Sequence, residues 1–278
     1  MTSLIGIRRR IRSTKNIKQI TKAMQMVSAS KMRKAQEAAL ATRPFTDKLR
    51  DILTRVSGAN ALTETRPEKK ILIILVATSK GLCGGLNVNL HRSFANFSID
   101  FAGANISVVT VGKKARWVLP GRETNLVARF DELGETPTFA ESRVITSYAM
   151  DNFISGKFDS VYFAYPKFIS TLTNEIIIQK LLPVTSSVSS NTNTQYTIEP
   201  DPATIIQKLI PYQVEMSMYQ SILEARATEH SARMVAMKSA SDNASDLIGS
   251  LTLDYNSARQ SQVTSELLDV TTARMAIE

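Results

Sequence analysis

A chain of 278 residues, 43% apolar and 21% charged, is long enough for a sizeable core and too apolar for low-complexity disorder. Its longest unbroken apolar run, residues 71–77, is far too short to span a bilayer, and one cysteine with two histidines excludes a disulfide framework and a Cys/His zinc site. The net charge of +9 is unevenly spread: residues 1–57 carry 14 Lys/Arg against Glu37, Asp47 and Asp51, whereas residues 212–278 carry five basic groups against nine acidic ones. Opposite signs imply that the two ends meet each other, or that each meets a different partner.

In chain order, the spacing predicts a first helix over residues 4–56. Ile17, Ile20, Met24 and Val27 form an apolar stripe that continues through Ala38, Ala41, Phe45 and Ile52, interrupted by Lys31, Lys34 and Lys48. Pro44 should bend this helix, and Gly58 with Asn60 should end it. The period then changes. Residues 71–77, 106–111 and 161–165 read as strands buried on both faces, and 175–181 as a fourth, more amphipathic strand. Helices are expected over 86–97, 113–119 and 139–154, and the polar tract 185–195 should close this region as a loop. Alternating strands and helices imply an α/β sheet with right-handed crossovers, of Rossmann-like type. After Pro211 a helical pattern runs to the end, with Gly249 its one glycine, and as one helix it would be ~100 Å long. Its stripe is Arg233, Met237, Ala240, Ala244, Leu247 and Leu251, continuing as Tyr255, Ala258 and Gln262 after a stutter. A polar helix of this length needs a partner, and the basic first helix suits it. The expected architecture is therefore an antiparallel coiled coil of the N-terminal (1–57) and C-terminal (205–278) segments, flanking a central α/β domain over 68–200.

The motif nearest to chemistry is KGLCGGLN at 80–87, directly after the first strand. Such a loop can offer backbone amides to a phosphate. However, Gly81, Gly84 and Gly85 match neither a G-x-G-x-x-G fingerprint nor a P-loop, and no acid follows the second strand to hold a ribose. A tight turn or a protein contact is the plainer reading. Neither His91 nor His230 stands near a triad in sequence, and Cys83 reads as a small packed residue as readily as a thiol beside Lys80. The basic run Arg8, Arg9, Arg10, Arg12, Lys15, Lys18 and Lys22 could neutralise phosphates, but no aromatic residue is interleaved before Phe45 to stack on bases. From the residues alone three classes stay open: a helical protein whose basic face meets an acidic protein surface, a nucleotide-binding enzyme on the middle domain, and a basic coiled coil binding nucleic acid.

Longer stretches carry a resemblance. RRRIRSTKNIKQITKAM at 8–24 with VSASKMRKAQ at 27–36, GLCGGLN at 81–87, EHSARMVAMKSASDNA at 229–244, YNSARQ at 255–260 and VTSEL at 263–267 are similar, in order along the whole chain, to the gamma subunit of F-type ATP synthases. The resemblance implies a noncatalytic central rotor without cofactor. Its terminal helices would form a coiled coil inside a hexamer of alpha and beta subunits, and its α/β domain would touch epsilon and the membrane c-ring. Proton-driven rotation would then carry three catalytic sites through different affinities, with no nucleic-acid partner and no insertion of this chain into the membrane. Carried over residue by residue, Arg259 and Gln260 stand at the family's polar catch to a beta-subunit loop, with Thr264 and Glu266 in the same signature. Lys80, Gly81 and Cys83 stand near the surface swept by the beta subunits' acidic lever, and Met24 and Lys31 on the N-terminal helix facing the C-terminal one. Ser79 replaces the acid the family usually has before this lysine, and Arg274 lies where its C-terminal signature is small and apolar. With Met1 just before the motif, the expectation is a bacterial-type chain, peripheral on the cytoplasmic face of the plasma membrane.

Overall fold

The computed structural model describes residues 4–53, 60–119, 125–184 and 201–275. Among them, the elements in order are α1 (Leu4–Leu53), β1 (Lys70–Val76), α2 (Leu86–Asp100), β2 (Asn105–Val111), β3 (Asn125–Phe130), α3 (Phe139–Ile154), β4 (Ser160–Phe168), β5 (Asn174–Leu182) and α4 (Pro202–Met275). By internal contact the chain divides into two units, Met1–Val27 with Met234–Glu278, and Ser28–Arg233.

The second unit holds the sheet. Its order is β3-β2-β1-β4-β5, with β1 parallel to β2 and β4, β2 parallel to β3, and β5 antiparallel to β4. β1 is apolar on both faces because both are covered. Leu72, Ile74 and Val76 face α3 residues Ile145, Ala149 and Phe153, together with Ile206, Ile210, Val214, Met218 and Ile222 of α4. Ile71, Ile73 and Leu75 face Leu90, Phe94 and Phe97 of α2. The first of these layers explains how α4 is docked. Its N-terminal part is a core helix of the α/β unit, tied further by Arg143 to Glu215 at 3.0 Å and by Phe139 set edge-on to Tyr212 and Tyr219.

The expected antiparallel pairing of terminal helices is present in each unit. In the first, Lys18 Nζ donates to Ser245 Oγ at 2.9 Å. In the second, Thr42 bonds Gln220, Gln220 Nε2 donates to the Ala39 carbonyl at 3.1 Å, and Arg43 pairs with Glu224 at 3.3 Å. The seam on α1, however, is not the predicted stripe. Its buried residues are Ile7, Thr14, Thr21, Ser28, Ala35, Ala39, Thr46, Leu49 and Leu53, a heptad pattern of mainly small and hydroxyl side chains. Ile17, Ile20, Val27, Phe45 and Ile52 are instead exposed. The reason is local. Thr14, Thr21 and Thr46 donate their hydroxyls to the carbonyls of Arg10, Ile17 and Thr42, four residues back. Self-satisfied in this way, they are buried without needing a hydrogen bond from the partner helix. On α4 the expected stripe holds at Arg233, Met237 and Ala244, which are buried, and departs at Leu247, 50% exposed beside the half-buried Ile248.

Three further expectations are corrected. α4 begins at Pro202, not after Pro211, because Asp201 caps it: its Oδ1 accepts from the Thr204 amide at 2.8 Å, and proline suits a first turn. Pro211 lies within the helix, as Pro44 lies within α1. The helix expected over 113–119 is a single 3-10 turn, Ala115–Val118. It follows Gly112, whose φ of +97 and near-contact with the Ala77 carbonyl admit no side chain. Strand β3 was missed because it is a half-exposed edge with Asn125 and Arg129 in it, which breaks the apolar run. The expected helix end at Gly58 and the polar loop 185–195 lie outside the described residues.

Small seam residues should therefore matter more than large exposed ones. Ala39→Leu should lower folding stability by about 1–3 kcal/mol through overpacking, while the neighbouring Leu40→Ser should change it by less than about 0.5 kcal/mol. Urea unfolding of the two variants checks the order, which a plain hydrophobicity reading would reverse.

Candidate functional site

Within the second unit, the glycine loop after β1 is held by one face of α4. Arg226, Glu229, His230 and Arg233 follow the spacing that places side chains side by side on a helix, and all four are buried. Glu229 lies between the arginines, with Oε2 2.8 Å from Arg226 and Oε1 2.7 Å from Arg233. The same carboxylate accepts the backbone amides of Ser79 at 3.2 Å and Lys80 at 3.3 Å. Arg233 then donates to the carbonyls of Lys80 at 3.0 Å and Gly81 at 3.1 Å, and Arg226 to Ser79 Oγ at 2.8 Å and the Leu133 carbonyl at 3.4 Å. Both polarities of the loop backbone are thus engaged, its amides by the acid and its carbonyls by the bases. Ser79 serves as an acceptor for Arg226.

The electrostatics follow from this geometry. Burial pushes the Glu229 carboxyl up, but the two guanidinium groups and the Ser79 amide outweigh it and hold it below the ordinary glutamate range. His230 is driven the other way: burial, with Arg233, Lys31 and Arg226 against it and only Glu229 in its favour, lowers it to about 4. It is therefore neutral, and its Nδ1 faces Arg233 at 3.4 Å as an acceptor. Cys83 is buried beside Thr78, and desolvation raises its thiol, so it is no activated nucleophile.

A loop at the carboxyl end of β1, where the strand order reverses, is where an open α/β sheet usually receives a ligand. Here the amides of Ser79 and Lys80, which a phosphate would need, already bind an anion supplied by the chain's own helix. The tip of the loop is Leu82, 61% exposed at φ 61, followed by Gly84 at φ 60.

The sequence-predicted residues fall into three places. Lys80 and Lys31 meet: their ammonium groups lie 2.7 and 2.5 Å from the two oxygens of Glu135, in the segment between β3 and α3. Gly81 joins them through the Arg233 clasp, and Cys83 sits beneath the loop. Met24 is half-buried on α1 in the first unit. Arg259, Gln260, Thr264 and Glu266 are also in that unit, on a stretch of α4 in which every residue from Arg259 to Met275 is exposed. The Lys18–Ser245 bond sets an antiparallel register that brings the start of α1 level with Arg259, so α4 continues past its helical partner. There Thr264 donates to the Gln260 carbonyl at 2.9 Å and Gln262 to Glu266 at 2.9 Å. Arg259 makes no ion pair among the described residues. Sequence reasoning missed Arg226, Glu229 and Glu135 as site residues. The Arg-x-x-Glu-x-x-x-Arg spacing was a visible signal for the first two, whereas Glu135 is brought in by the sheet and had none.

Known proteins agree along the whole chain. The family model described as ATP synthase matches residues 3–277. The ATP synthase gamma chain of Dehalococcoides mccartyi strain CBDB1 is 42% identical over 97% of each chain. That of Pelotomaculum thermopropionicum is 39% identical over the full length of both. A chain of the Euglena gracilis mitochondrial ATP synthase OSCP/F1/c-ring structure superposes with a TM-score of 0.71 at 18% identity, covering 99% of this chain and 94% of that one. The Tetrahymena thermophila central stalk/c-ring structure gives 0.60 at 22% identity, covering 80% and 99%.

Two measurements test the clasp. Glu229→Gln leaves two buried guanidinium groups without their counter-charge and should lower stability by ~3–5 kcal/mol in denaturant unfolding. For His230 the folded pKa is depressed, so its stabilising share is full above the ordinary histidine value and is lost as pH falls towards 4. Between pH 7 and 5 the parent should lose ~2 kcal/mol more than His230→Gln. Parallel unfolding curves at the two pH values give the comparison.

Proposed function

The chain belongs to the ATP synthase gamma-chain family, and we propose that it is the central-stalk rotor subunit of a bacterial-type, proton-translocating ATP synthase. Its relatives are named ATP synthase gamma chain, and the fold is shared with chains of solved ATP synthase central stalk/c-ring and OSCP/F1/c-ring structures. The subunit carries no catalytic centre of its own. It turns within the hexamer of alpha and beta subunits and is driven through contacts of the α/β unit with epsilon and the c-ring. Among the described residues no helix is long and apolar enough to cross a membrane, which suits a peripheral place on the cytoplasmic face of the plasma membrane.

The observation that carries this reading is the bare length of α4. From Arg259 to Met275 it is exposed on every side, with Val263, Leu267, Leu268 and Val270 between 47% and 67% accessible. A single helix with this much exposed apolar surface among the described residues is poorly stable in water. Enclosure by surrounding subunits resolves that difficulty. Shaft rotation then works by differential contact, each orientation favouring a different conformation of the catalytic subunit it touches.

Within this reading Arg259 and Gln260 form the catch. The guanidinium offers a planar fork of donors to an acidic loop, and Gln260 adds a neutral bond beside it. Thr264 and Glu266 extend the same face; Lys80, Gly81, Met24 and Lys31 belong to further contact surfaces, with Cys83 buried beneath the glycine loop as their support. A nucleotide enzyme is the less favoured class because Glu229 holds the loop amides. Arg259→Leu in the assembled complex should lower both ATP synthesis and hydrolysis severalfold at matched assembly. Helicity and thermal midpoint of the isolated subunit should stay within error of the parent, since the position is exposed. Equal turnover of both complexes removes Arg259 from the contact.

A further inference from the structure

Lys31 on α1 and Lys80 on the glycine loop come from chain positions far apart, yet both point at one carboxylate. Lys31 Nζ is 2.5 Å from Glu135 Oε2, and Lys80 Nζ is 2.7 Å from Glu135 Oε1. The two ammonium groups thus bracket a site of carboxylate width, built from two elements that are each fixed by buried contacts. Lys80 is anchored by its amide on Glu229 and its carbonyl on Arg233. Lys31 lies one helical turn from the buried Ser28 and Ala35 of the seam. The acid between them is placed differently. Glu135 follows Leu133 and Gly134 in a segment without regular structure, and its side chain is 49% exposed. The lysines are 35% and 66% exposed, so solvent reaches all three groups.

We propose that Lys31 and Lys80 form a receptor for an acidic side chain of a partner protein, and that Glu135 occupies this receptor as a placeholder until the partner's carboxylate displaces it. The inference rests on the reading of these lysines as contacts to an acidic surface, and adds the competitor. Exchange of one exposed carboxylate for another keeps both lysines paired, and the displaced Glu135, 49% exposed, passes to solvent at little cost. The charged state of Glu135 fits the role, because the bonds from Lys31 and Lys80 hold its carboxyl down at about 2 and keep it ionised. The tethered acid acts as an intramolecular ligand at high effective concentration, which tunes the contact to be weak and fast. A contact made and broken at every turn requires both properties.

The test uses the purified full chain and, as probe, a labelled short peptide of aspartate and glutamate at low ionic strength, where exposed pairs are least screened. Glu135→Gln should bind the probe about fivefold more tightly than the parent, the scale of an exposed ion pair. Glu132→Gln, which removes the same charge from an exposed neighbour, should leave affinity close to the parent. Adding Lys80→Gln to Glu135→Gln should abolish the gain. Equal affinity of parent and Glu135→Gln overturns the proposal, as does an equal gain from Glu132→Gln, which would mark a general charge effect. Circular dichroism of each variant establishes that the fold is retained. The assay needs no other subunit, so its failure is separable from failure of the rotor reading, which is judged by turnover of the assembled complex carrying Arg259→Leu.

Discussion

A carboxylate buried between two arginines is tolerable only if every charge and every remaining donor is matched, and Glu229 sets that requirement for its whole surroundings. Its two oxygens are shared among two guanidinium groups and two backbone amides. The arginines in turn use their outer donors on the carbonyls of Lys80, Gly81 and Leu133. Removing any member leaves another buried and unpaired. The loop after β1, the segment after β3 and the middle of α4 are therefore fixed together as one network.

This arrangement changes what the sheet is for. Doubly wound sheets offer a crevice at the carboxyl end of their strands, and many such domains use it for a ligand. Fold alone does not decide that use. In this chain the crevice receives α4, whose buried face continues below it as a core helix over β1, β4 and α3. The α/β unit reads best as a mounting for a helix. Its loops are positioned rigidly from within, while their outer surfaces, with Leu82 at the tip and the lysines beside it, remain open.

How much of this was legible depends on how local its cause is. The four strands with apolar, β-branched runs and the helices α2 and α3 were readable because burial on a sheet face or a helix stripe leaves a period in the residues themselves. The paired terminal helices were readable from length, charge and the family's motifs. The seam on α1 was not, because hydrophobicity ranks Ile17 and Ile20 above Thr14 and Thr21, and only the carbonyl four residues back turns a threonine into a seam residue. The same limit applies to the site. Arg226, Glu229 and Arg233 share a helix face and could have been grouped by spacing, but their target loop lies about 150 positions away. Glu135 owes its place to strand order alone, and single-sequence periodicity holds no trace of it.

The hydroxyl-lined seam has one more consequence, which concerns elasticity. Two helices joined by interlocking large side chains resist rotation, because any turn forces rotamers out of their wells. Threonines and serines that satisfy their hydroxyls within their own helix ask nothing specific of the opposite helix, and cross-helix bonds such as Lys18 to Ser245 are sparse. Small twists of one helix about the other then break few bonds and open little void. Within each unit the seam therefore opposes a small turn of one helix about the other only weakly, because the bonds that fix its hydroxyls run along a single helix.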